Sequence, residues 1–212
     1  MLQFSALVGS RCFGLELPDS DIDIVCVGDD GNNRIHSGAY HYIRRTEREL
    51  VESLTLQTRY HDGLQWMFPA EFLTNGELAD YIVQHREELI RGGLASVWKR
   101  LWTNADGLSL HAEHYYNAFP KRIAYSIMRF DTLARYATGC SFQEAFKPTP
   151  ELRELLLAIR KREMPMEEAP ALNKDARQRA EMARSYYDRP PDTQLQNQTA
   201  SDIRGILHFT DS

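Results

Sequence analysis

Apolar and polar positions alternate in short, strand-like runs at the start of the chain and shift to helical spacing in its second half. Residues 2–8 read as a short strand entering the pair Gly9-Ser10, and residues 22–27 as a second strand closed by the turn-rich run 28–33. Residues 39–43 fit a further strand, and 45–56 have helix-forming composition. In 63–68, Leu64, Trp66 and Phe68 fall at alternate positions, which suits a strand, yet the run is short enough to be the first turn of a helix. Residues 78–89 and 94–102 read as helices separated by Gly92-Gly93.

From about residue 108 the helical period dominates. Ile123, Ile127, Phe130, Ala134 and Ala137 lie within about 40° of one line on a helix that Gly139 can end. Pro150 opens another, with Leu152, Leu155, Leu156 and Ile159 as its apolar stripe. Residues 173–187 form a third, stopped by Pro190-Pro191; 192–198 read as a polar, loose tail and 203–209 as a closing turn. The pattern predicts an α/β part, 1–105, and a helical part, 106–212, with the boundary near Asp106.

Within the first part, Gly9-Ser10-Arg11 precedes Ser20-Asp21-Ile22-Asp23. A strand alternates its side chains, so Asp21 and Asp23 project from one face and Ile22, Ile24 and Cys26 from the other. Two neighbouring carboxylates repel unless a cation or basic group lies between them, and hard divalent ions, above all Mg²⁺, take such oxygens together with substrate phosphates. A Gly-Ser turn after an apolar strand offers backbone N–H groups and a hydroxyl to the same polyphosphate. Gly9 lets the backbone come close, Ser10 can donate to a phosphate and Arg11 can form a charged fork on it. Gly14 and Asp19 read as turn residues, and Ser20 as a cap of that turn, the stronger reading, or a ligand of a metal-bound water.

These residues resemble the GSR…SDxD signature of the DNA polymerase β-like nucleotidyltransferase superfamily. A lone DxD is common; GS, R, a second Gly and SDID in order between two apolar strands is far more specific. The second half is similar to the RlaP-like subgroup of predicted nucleotidyltransferases. Its matching residues are Lys121-Arg-Ile-Ala-Tyr125, Arg129 and Gly139, then Leu152, Leu156, Ile159-Arg160 and Glu163, then Pro190-Pro-Asp192. The resemblance implies an α+β fold: a small mixed sheet with flanking helices, followed by a C-terminal helical domain that completes a nucleotide cleft. It implies transfer of a nucleoside monophosphate from an NTP, with release of pyrophosphate. Asp21 and Asp23 would hold Mg²⁺ or Mn²⁺, and Gly9, Ser10, Arg11 and Lys121 would bind the nucleotide. Two ions about 3.5–4 Å apart can stabilise the attacking and leaving oxygens.

Active members add a third acid on a neighbouring strand. Asp62 fits one alignment and Glu47 or Glu49 another, and the choice, or the absence of a third acid, stays open. The alternative to an enzyme is a non-catalytic nucleotide-binding regulator or antitoxin-like module that retains the fold. Superfamily members commonly carry a helix ahead of the first strand, which here begins almost at Met1; either the helical half covers that face, or the chain is trimmed or pairs with a partner subunit.

Composition narrows the setting. The net charge of −5 argues against chain-wide attraction to nucleic acid, so the acceptor, whether an RNA end, a protein or a small molecule, stays undecided with a mild lean away from RNA. Cys12, Cys26 and Cys140 show no CxxC spacing, which suits a reduced, cytoplasmic setting, and no run is long and apolar enough to span a membrane. Lys121, Tyr125 and Arg129 recur every four residues, a spacing that suits either a solvated face or a positively charged, stacking face toward the nucleotide. His41, His61, His111 and His114 read as ordinary polar residues and Trp66, Trp98 and Trp102 as core.

Overall fold

A computed structural model of the chain describes residues 2–28, 34–57, 62–74, 76–115, 120–165 and 167–209. His61 and most of the turn expected at 28–33 lie outside the described residues, as do the side chains of Asp62, His111 and His114. Five strands make one mixed sheet: β1 Leu2–Leu7, β2 Ile22–Gly28, β3 Arg34–Ser37, β4 Tyr40–Arg45 and β5 Glu71–Thr74, in the order β3-β4-β2-β1-β5. β1 runs antiparallel to both β2 and β5, whereas β4 runs parallel to β2. With a largely helical remainder this is the α+β architecture the sequence predicts.

The strand expected at 39–43 is β4, shifted by one residue because Gly38-Ala39 forms the two-residue turn of a β3–β4 hairpin. Gly38 sits at φ 60°, which matches the strand twist when glycine takes the first central position of such a turn. β3 has no alternating apolar signature and was not foreseen; all its residues are exposed.

One face of the sheet carries the core. Phe4 and Ala6 of β1 and Val25 and Val27 of β2 are fully buried, and helix α1, Glu47–Leu54, packs on β2 with Leu50, Val51 and Leu54 inward. Asp23 occupies the same row as Val25 and Val27, while Ile22, Ile24 and Cys26 on the other row are only half-buried. Asp23 therefore ends the buried row of β2, and Asp21 lies just ahead of the strand.

Residues 63–68 resolve in favour of a helix, α2 Asp62–Met67. Leu64, Trp66, Met67 and Phe68 are all buried, so the apparent alternation does not separate an inner from an outer face. The strand lies just beyond, at β5, after Pro69. Helix α3, Gly76–Gly92, and helix α4, Leu94–Tyr115, meet at Gly93 as expected, but α4 runs far past residue 102. Asp106, where the change in pattern suggests a domain boundary, lies inside α4, and Gly107 beside it does not interrupt the helix.

By internal contacts the chain forms two compact units, Met1–Ser96 with Pro191–Ser212, and Val97–Pro190. The second holds α5 Pro120–Ala137, α6 Phe142–Phe146, α7 Pro150–Lys161, α8 Glu168–Met182 and α9 Arg184–Tyr187. α5 is its centre, with α6, α7 and α8 packed against it, and is buried nearly all round rather than along one stripe. The single helix expected at 173–187 divides at Ala183 into α8 and α9.

The tail expected to be loose is instead α10, Thr193–Phe209. Asp192 accepts a hydrogen bond from the Leu195 amide (2.9 Å) and so caps the helix, and its own amide donates to the Gly92 carbonyl (2.7 Å) at the end of α3. Gln196, Thr199, Ala200, Ile203 and Leu207 form the buried stripe, two of them polar residues that conceal it from a hydropathy reading.

Candidate active site

Directly after β1 and Val8, residues Gly9–Phe13 wind into a 3₁₀ turn that ends at Gly14 in the left-handed conformation. The Val8 amide donates to the Asp23 carbonyl (2.9 Å), tying the turn to the start of β2. Gly9 has φ 75°, and a Cβ built there would collide with Asp23 Oδ2. Glycine is thus required twice, for the backbone angle and for the space that the Asp23 carboxylate fills.

The other oxygen of Asp23 is held from the neighbouring strand. β4 runs parallel to β2 with His41 opposite Asp23, and Nδ1 of His41 donates to Oδ1 (2.8 Å). The His41 ring stacks on that of His36, its cross-strand partner on β3, with centroids 4.2 Å apart and planes 5° from parallel. By residue type and spacing His41 is an ordinary polar residue; its pairing is set by a register between strands eighteen residues apart, which local pattern does not reveal. Asp21, one residue ahead of β2, is exposed.

Ser10 is buried in the turn. Nε of Arg11 is also buried and has no hydrogen-bond partner among the described residues. Burying such a donor without a partner is costly, on the order of 1–3 kcal/mol, which makes the position suited to an anion. Glu16 Oε2 and His41 Nε2 are buried without partners in the same sense. The Gly9 amide, expected to face a phosphate, donates to Oε1 of Gln65 on α2 (3.0 Å), a contact that sequence pattern did not anticipate. Ser20 accepts from the Leu17 amide (2.8 Å) and closes the Pro18-Asp19 turn, the structural role expected of it.

The acids considered for a third position divide. Glu49 completes a capping box at the start of α1, its Oε2 accepting from the Thr46 amide (2.9 Å) and hydroxyl (3.2 Å). Glu47 faces His208 of α10 (3.6 Å). The strands flanking β2, β1 and β4, contain no acidic residue. Among the described residues no cluster of three His, Cys, Asp or Glu side chains could hold a metal ion. Two hard carboxylate donors fit a Mg²⁺ or Mn²⁺ that draws its remaining ligands from water and phosphate; they do not fit a zinc site. Burial pushes the Cys26 thiol up, partly offset by Arg44.

Lys121 is exposed on the first turn of α5. The rest of its expected face is closed: Tyr125 and Arg129 are buried within the helical unit. The Arg129 guanidinium carbon lies 5.4 Å from the centre of the Tyr125 ring, and its Nη1 donates to the Tyr125 carbonyl (3.3 Å). Trp66 is core, and Trp98 and Trp102 stack on each other (4.8 Å) beside Tyr187 and Phe130. Among the described residues no helix is long and apolar enough to cross a membrane.

No curated protein matches the chain. Residues 4–89 match the family model described as a nucleotidyltransferase domain, a span that contains Gly9, Ser10, Arg11, Asp21, Asp23, His41 and Gln65. The matched span includes the segment where the glycine turn meets the strand carboxylate, so the sheet-bearing part of the chain is similar to a nucleotidyltransferase domain.

Proposed function

We propose that the chain transfers a nucleoside monophosphate from a nucleoside triphosphate to an acceptor hydroxyl or phosphate, with Asp21 and Asp23 holding Mg²⁺ or Mn²⁺. The observation that carries this reading is the seat of Asp23: one carboxylate oxygen is held by His41 and the other lies against the Gly9 turn, inside the matched span. In the reaction an acceptor oxygen attacks the α-phosphorus, the bond to the pyrophosphate oxygen breaks, and the acceptor proton leaves. The divalent ion, when bound, supplies charge stabilisation at the reacting phosphate. Gly9 gives the phosphates close access to the backbone, Ser10 offers a hydroxyl, and Arg11 brings a cation whose Nε lacks a protein partner among the described residues. Lys121 is included on the resemblance alone. The acceptor, an RNA end, a protein or a small molecule, follows from none of these contacts.

The test incubates the protein with Mg²⁺ or Mn²⁺ and each α-labelled NTP, offering RNA, protein and small-molecule acceptors. Wild type is expected to transfer label, and the Asp21→Asn/Asp23→Asn double variant to lose it. Transfer that survives the double substitution overturns the assignment of these carboxylates. Metal-dependent nucleotide binding without transfer to any acceptor overturns the catalytic reading in favour of a nucleotide-binding regulator. Lys121→Ala is expected to weaken nucleotide binding several-fold; unchanged binding removes Lys121 from the site.

A further inference from the structure

We propose that His41 is a positioning residue for Asp23: it holds Oδ1 so that Oδ2 is presented at the Gly9 turn, where the divalent ion and the triphosphate would meet. The inference rests on the reading of Asp23 as a metal ligand and adds a residue that no other observation assigns. Three features carry it. Parallel pairing of β2 and β4 puts Asp23 and His41 side by side on one face of the sheet. A carboxylate only accepts, so Nδ1 must donate in the 2.8 Å contact, which fixes the ring's orientation and tautomer. The stack on His36 fixes the ring plane from its other side.

What distinguishes this from a histidine filling space is where its hydrogen bonding goes. The His41 side chain is 12% exposed, and its Nε2 is buried with no partner among the described residues. The contact to Asp23 is thus the one hydrogen bond that orients the ring among those residues. An aspartate has two side-chain torsions, and pinning one oxygen leaves the other in a single place; here that place is the space kept open by the missing Cβ of Gly9. Neighbouring-strand donors of this kind orient ligands and typically change metal affinity by about 10–100-fold when removed.

The test measures Mn²⁺ binding by titration calorimetry and by electron paramagnetic resonance, in the presence of a non-hydrolysable α,β-methylene NTP, so that no turnover is required. His41→Ala is expected to weaken Mn²⁺ binding by about 10–100-fold. His41→Asn, whose amide nitrogen can stand near the Nδ1 position and donate to Oδ1, is expected to recover most of that loss. His41→Gln, which extends its amide to the Nε2 position, is expected not to. Wild-type affinity in His41→Ala overturns the proposal, as does failure of Asn to rescue, which would make the ring itself the ligand. Should His41→Ala not fold, as read by circular dichroism, the Asn and Gln variants decide: equal affinity overturns the proposal. Asp21→Asn/Asp23→Asn separates the two levels of inference. If that variant binds Mn²⁺ as wild type does, the metal reading itself fails and takes the role of His41 with it. If it loses binding while His41→Ala does not, only the positioning role fails.

Discussion

Two aspartates, one in each compact unit, show how differently this chain treats a buried negative charge. Asp131, on α5, is 8% exposed and meets two guanidinium groups, Arg179 at 3.1 Å and Arg135 at 3.7 Å. Asp23, on β2, is 21% exposed and, among the described residues, meets one histidine and the backbone of a glycine turn, with no lysine or arginine in ion-pair range. The first charge is neutralised by the protein. The second is oriented without a lysine or arginine partner among the described residues, and a carboxylate held in that way is a place where a cation lowers the free energy of the whole. The difference separates a structural ion pair from a candidate ligand without appeal to motif.

Exchanging the two residues for asparagine breaks the comparison most sharply. Asp23→Asn is expected to reduce nucleotidyl transfer by a factor on the order of 10³ while leaving the melting temperature nearly unchanged, because it removes a charge that no lysine or arginine among the described residues pairs with and leaves an amide oxygen that can accept from His41. Asp131→Asn is expected to do the reverse. It takes a shared carboxylate from Arg179, which keeps Asp175, and from Arg135, which keeps the Lys147 and Glu144 carbonyls, and costs about 1–3 kcal/mol of stability, with little change in transfer per folded molecule. Calorimetric melts and label-transfer rates on the two variants check this; a large fall in melting temperature for Asp23→Asn would place it with the structural pairs.

Gly9 sharpens the same contrast by crowding Asp23 instead of removing it. Alanine at Gly9 carries the strain of φ 75° and a Cβ directed at Oδ2, whereas alanine at Gly38 carries φ 60° with nothing within 4 Å. Both are expected to lose about 1–2 kcal/mol from the left-handed backbone. Only Gly9→Ala should also displace the carboxylate and lose Mn²⁺–nucleotide binding. If both variants bind equally, the proximity of Gly9 and Asp23 has no functional consequence.

The parts of this arrangement that were readable in sequence are those encoded locally. Gly9, Ser10, Asp21 and Asp23 declare themselves by residue type and order, and the 3.6-residue period of α5 and α7 needs no partner to be seen. What could not be read depends on strand register or on buried polar residues. His41 becomes a partner of Asp23 only through the parallel β2–β4 pairing, and Gln65 reaches Gly9 from a helix whose alternation resembles a strand. Arg129 looked like half of an open polar face because its charge conceals that α5 is buried all round. In α10, Gln196 and Thr199 stand on the inner stripe, so hydropathy described a loose tail where Asp192 begins a helix.

Asp202 on α10 supplies a third way of holding a carboxylate and the smallest expected effect. Its oxygens accept from neutral donors, Tyr81 Oη at 2.8 Å and Gln198 Nε2 at 2.8 Å, with no cation in ion-pair range among the described residues. Burial, and then the hydrogen bond to Asp202, push the Tyr81 phenol up from 10.0 to about 12, with a contact to Thr199 acting the other way. The folded state therefore keeps the Tyr81 proton more tightly than the unfolded chain does. The associated stability is fully present below about pH 10 and is lost as pH rises through about 12. Tyr81→Phe removes both the hydroxyl and its titration, so the stability difference between wild type and variant should be constant up to about pH 10 and shrink above it. Denaturant melts at half-unit intervals from pH 8 to pH 12, read against Tyr81→Phe to cancel the other tyrosines, measure that window. A difference that stays flat through about pH 12 would mean that neither burial nor Asp202 holds the Tyr81 proton.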